Sequence, residues 1–134
     1  MDTGALVEGG VAGLRKIVGA LEQEGVAIVG AYLIRTTSWD DQSQRTDFRI
    51  VTKDDIRDVL YKFVRLRGEG QLPEYSNSIT LTPVRPDNYE ASRVLDYARR
   101  VGKPTVTIEG VPSDGLYIED AVVVKYPQEE RAAA

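Results

Sequence analysis

Apolar residues recur along the first two dozen positions at helical spacing. Val7, Val11, Leu14, Val18 and Leu21 follow alternating steps of four and three, the seam of a heptad, and Leu6 and Ile17 widen it. The spacing predicts a helix over roughly residues 4–24, capped by Asp2 or Thr3 and closed by Gly25. Gly9, Gly10, Gly13 and Gly19 each cost such a helix about 1 kcal/mol relative to alanine, which is tolerable where a small face lets another backbone approach. The seam has two uses: packing on the chain's own sheet, or pairing across a homodimer.

Downstream the period changes. Val26 to Thr37 is almost continuously apolar and reads as a central strand buried on both faces. A polar stretch, Ser38 to Gln44, separates it from Arg45 to Val51, where Phe48 and Ile50 alternate with Asp47 and Arg49; an antiparallel hairpin is the simplest join. Thr52-Lys53-Asp54-Asp55 has capping-box spacing, with Thr52 as the cap, ahead of an apolar stripe of Ile56, Val59, Leu60, Phe63 and Val64. Asn77 to Pro83 alternates as a third strand. Asp87-Asn88-Tyr89-Glu90 is a second box, opening a helix with Ala91, Val94, Leu95 and Ala98 inward and a left-handed cap at Gly102. Thr105 to Glu109 and Leu116 to Tyr126 complete the pattern, the latter interrupted near Glu119-Asp120 and joined to the former by a turn at 112–115.

The order α-β-β-α-β-α-β-β predicts an α+β domain over 1–127, with one mixed five-stranded sheet and about three helices. Strand–helix–strand links on both sides of the third strand imply right-handed crossovers and a partly parallel sheet. The helices' distribution over the two faces stays open. Residues 128–134 read as a frayed tail, and Ala132-Ala133-Ala134 is open to reading as a cloning remnant.

Composition narrows the chemistry. With 134 residues, 42% hydrophobic and 28% charged, the chain is ordinary globular material that needs no staple. It has no cysteine and no histidine, which excludes disulfides, thiolate nucleophiles, zinc–thiolate and iron–sulfur sites, histidine triads and HExxH centres. A net charge of −4 makes nucleic acid and anionic lipid unlikely partners by nonspecific attraction. No run approaches the roughly 20 apolar residues of a membrane helix, and the start lacks a basic, apolar leader, so cytoplasm is the default. Nothing calls for a cofactor.

Three sets of residues remain as candidates. Asp40, Asp41 and Asp47 could serve a carboxylate–metal hydrolase or nuclease, although solvated turn acids explain them better. Arg85, beside a helix start, and Arg93 and Arg100, seven apart on one helix, are candidate anion contacts for a small-molecule or nucleotide site, with Arg93 and Arg100 also readable as a solvated face. Trp39, the single tryptophan in a polar loop, either folds over the hairpin or meets a partner. The expectation drawn from these is a non-enzymatic interaction or regulatory domain, self-associating through the heptad seam of the first helix.

Overall fold

The computed structural model describes residues 3–72, 80–113 and 116–127, and their side chains apart from those of 3–9, 44–45, 109–113 and 116–119. The expected Asp2 cap, the strand start at 77–79, the far half of the 112–115 turn and the 128–134 tail lie outside that range. The first helix, α1, spans Thr3–Gln23. Gly25 closes it at φ 86°, a left-handed geometry that glycine adopts without a side-chain penalty. Strands β1 (Ile28–Ser38) and β2 (Gln44–Thr52) form the expected antiparallel hairpin. Then come α2 (Ile56–Gly68), β3 (Thr80–Val84), α3 (Tyr89–Val101), β4 (Val106–Ser113) and β5 (Leu116–Lys125). One mixed sheet takes all five strands in the order β3-β2-β1-β5-β4.

The apolar run of β1 puts it at the centre, bonded to β2 on one side and β5 on the other, both antiparallel. Its side chains alternate between two separate cores. Ala31 and Leu33 join Phe48, Ile50 and Leu81 beneath α1 and α2. Tyr32 and Ile34 join Val51, Val106, Ile108, Ala121 and Val123 beneath α3. The helices therefore divide two and one across the sheet. The interruption expected near Glu119 is a register shift, where Arg35 faces Asp120 but Thr36 faces Ile118, so β5 continues through a bulge.

Only one of the two strand–helix–strand links produces a parallel neighbour. β2 and β3 run parallel through α2, whereas β3 and β4 lie on opposite edges and run in opposite directions. The end of β3 and the start of β4 thus share one end of the sheet, four strand spacings apart, or about 19 Å. A 13-residue helix is about 20 Å long, so α3 crosses the strands rather than running along them. Its core accordingly gathers side chains from all five strands. Close approach is possible because Gly30 lacks a side chain: a Cβ there would sit 2.6 Å from both Leu95 methyl carbons.

Both capping boxes are displaced. Asp55, not Thr52, caps α2, accepting from the amides of Arg57 at 2.8 Å and Asp58 at 3.3 Å. Thr52 ends β2 and is buried, donating to the Ala27 carbonyl and accepting from the Asp54 amide. Asp54 reaches the Ala27 amide at 2.8 Å. Asn88 caps α3 through the Ala91 amide at 3.0 Å, which leaves Glu90 for another task. The stripe of α2 is rotated as well: Val59, Phe63 and Leu66 are buried, while Leu60 and Val64 are exposed.

Candidate functional site

Glu90, in the first turn of α3, points into the sheet. Its Oε1 accepts from the Tyr32 hydroxyl at 2.7 Å and from Arg49 Nε at 3.2 Å. Arg49 also donates through Nη1 to Asp47 at 2.9 Å. Period-two alternation and the Tyr32–Arg49 pairing set these side chains on one face, and the transverse path of α3 brings Glu90 over them. Burial and the neighbouring Glu90 push the Tyr32 phenol well above the ordinary tyrosine range, so it stays a proton donor. Burial works against the Arg49 charge, but Glu90 and Asp47 outweigh it and the guanidinium is held protonated. The result is a polar tether between helix and sheet, with every group committed to a neighbour.

A different surface lies on α2. Leu60, Tyr61 and Val64 are 37%, 67% and 52% exposed. On a helix Leu60 neighbours Val64, and Tyr61 neighbours both Val64 and Arg57. Arg65 pairs with Glu24, just past α1, and with Glu69, placing α1 on the flank away from Leu60. The inner side of the same helix is the core stripe. Apolar side chains therefore occupy two sides of α2, the pattern of a helix covered on both.

Along one flank of α3, Val29, Pro86, Ser92, Arg93, Asp96 and Arg99 help line a groove of about 290 Å³. Of the predicted anion contacts, Arg93 reaches this groove and donates to the Tyr89 hydroxyl at 2.7 Å, 5.4 Å above its ring. Arg85 donates to the carbonyls of Lys53 at 2.6 Å and Asp54 at 2.7 Å, tying the end of β3 to the turn before α2. Arg100 pairs with Asp96 on the solvent side, as does Arg99. The three predicted arginines are not brought together; Arg99, which sequence spacing did not single out, is the groove's second cation.

The C-terminal part of the α1 seam packs within the chain. Leu14, Val18 and Leu21 are buried in the core beneath α1 and α2, and Val11 is half-buried; the Val7 side chain lies outside the described residues. Leu14, Val18 and Leu21 thus follow the first of the two uses open to the seam, packing on the chain's own sheet. Trp39 stands at the tip of the β1–β2 hairpin, 53% exposed. Asp40 and Asp41 are exposed in the same turn, where hydrogen bonds from Ser43 hold the Asp41 carboxyl below its usual range. Asp47 is buried down the strand against Arg49. Among the described residues no three ligating side chains gather as a metal site, and no helix is long and apolar enough to cross a membrane. Compared with known proteins, the chain matches no family model, no curated protein and no solved structure. Its geometry is what remains to argue from.

Proposed function

We propose that the chain is a non-enzymatic interaction or regulatory domain whose contact surface is the outward face of α2. One observation carries this reading: Leu60, Tyr61 and Val64 form a contiguous apolar patch on a helix whose opposite side is fully engaged. Contiguous exposed apolar side chains, unlike scattered ones, mark surfaces that become covered. Tyrosine adds a large contact area at small entropic cost. The other exposed apolar side chains are single or form a smaller pair: Trp39 at the hairpin tip, Tyr89 under Arg93, and Tyr97 beside Val101 near the end of α3.

The test is a photo-crosslinking residue at position 61 in the native cells, followed by reconstitution of the captured pair from purified components. Binding weakened about tenfold or more by Leu60→Ser with Val64→Ser supports the reading. A pair indifferent to both substitutions overturns it.

The α3 groove favours a second reading, a site for a small anion with an apolar body. Arg93 supplies the charge free of ion pairs among the described residues, Arg99 shares the groove with its partner Asp96, and Val29 and Pro86 form the apolar wall. A bound ligand stabilises the state it binds, so a nucleotide and carboxylate panel should contain a compound that raises Tm, and Arg93→Gln should abolish that rise. A flat panel removes this reading.

A further inference from the structure

We infer that the occupant of the outward face of α2 is an apolar segment flanked by carboxylates on another protein, rather than a second copy of this chain. The inference rests on the interaction reading above and concerns only the partner's chemistry.

The charge on α2 is segregated. The whole chain carries −4, yet Ile56–Gly68 holds Arg57, Lys62, Arg65 and Arg67 against the lone acid Asp58. Two of these cations are answered at home: Lys62 by Asp58, and Arg65 by Glu24 and Glu69. Arg67 lies over the Phe63 ring, 5.2 Å from its centroid, and has no carboxylate partner among the described residues. Arg57 has none there either. Spacing of four and seven puts Arg57 on the same side as Tyr61 and Val64. Arg67 sits one turn past Phe63, on the Leu60 flank. The apolar patch is thus bracketed by two cations that make no ion pair among the described residues.

Symmetry decides between the candidate occupants. A twofold contact brings the same surface of each copy together. If two α2 helices meet antiparallel at the patch centre, near residue 62, Arg57 of each faces Arg67 of the other. If they meet parallel, each arginine faces its own equivalent. Both arrangements oppose like charges, which disfavours that partner, and the one exposed carboxylate of α2, Asp58, is already paired with Lys62. A segment with carboxylates on either side of two or three apolar anchors satisfies both the patch and its brackets.

The experiment is a display selection of random 16-residue peptides on the full-length protein, counter-selected on Leu60→Ser with Val64→Ser. Enriched peptides that carry apolar anchors and net negative charge support the inference, as does about tenfold weaker binding of a synthetic acidic binder to Arg57→Glu. Enriched peptides that are neutral or basic overturn the charge inference and leave the interaction surface standing. Patch-dependent dimers in sedimentation at high micromolar concentration likewise overturn the choice of partner alone. No patch-dependent enrichment overturns both readings.

Discussion

Helices α2 and α3 are both 13 residues long, both start at a side-chain cap, and both carry arginines in the last turn. They are anchored differently. α3 buries Ala91, Val94, Leu95 and Ala98, lies against a glycine, and is clamped by a carboxylate reaching through to Tyr32 and Arg49. α2 buries Val59, Phe63 and Leu66 through apolar contact and leaves Leu60, Tyr61 and Val64 outward. α3 also exposes Tyr97 and Val101 near its end, but a helix held by specific polar bonds does not depend on a second covered side. One that is apolar on two sides has a second surface whose role lies outside its own fold.

The sharpest test of this contrast sits within α2 itself. Phe63→Ala should cost about 3–5 kcal/mol by urea unfolding, as for other buried aromatics, while the adjacent Val64→Ser should change stability by no more than about 0.5 kcal/mol. Equal losses would end the two-sided view of α2. On α3, Glu90→Ala should cost about 2–3 kcal/mol, because Arg49 Nε and the Tyr32 hydroxyl both lose their acceptor. Glu90→Gln should cost less, and a loss no larger than that for Val64→Ser would mean the tether does not hold. Gly30→Ala should cost about 1–3 kcal/mol through overpacking against Leu95, and should cost less when introduced into a Leu95→Ala chain.

The smallest effect at neutral pH belongs to Tyr32→Phe, about 1 kcal/mol, and its pH dependence is the more telling readout. Because the folded chain holds the Tyr32 proton beyond the ordinary value of 10.0, the unfolded chain releases it first. The corresponding stability is intact below about pH 10 and drains as pH climbs above it. The phenylalanine variant should therefore lose stability less steeply than the native chain above pH 10 in alkaline urea titrations. Parallel slopes would place Tyr32 in a more open setting than the geometry indicates.

The element order, the hairpin, the helix closures at Gly25 and Gly102 and the inward residues of α3 were legible in the sequence, since periodicity and backbone-permissive residues act locally. The failures were of two kinds. Capping-box spacing accounted for Glu90 as a helix-start acid, which concealed its reach to Arg49; no signal within four residues of Glu90 reveals β1 and β2 beside it. In α2, Leu60 and Val64 match an apolar stripe as well as Leu66 does, so periodicity alone could not orient the helix. The heptad seam of α1 was real, but a seam says only that something apolar covers it.

By itself, the sequence determined which segments become helix and strand, where most of them stop, and which chemistries two missing residue types forbid. These follow from side-chain periodicity, backbone freedom and functional-group inventory, all properties of the chain one neighbourhood at a time. Tertiary structure alone decided that α3 crosses the sheet, that Glu90 meets Tyr32 and Arg49, that Leu14, Val18 and Leu21 of the α1 seam pack inside, and which side of α2 remains outside. Each of those depends on which strands sit at the edges, and strand order joins residues far apart in the chain.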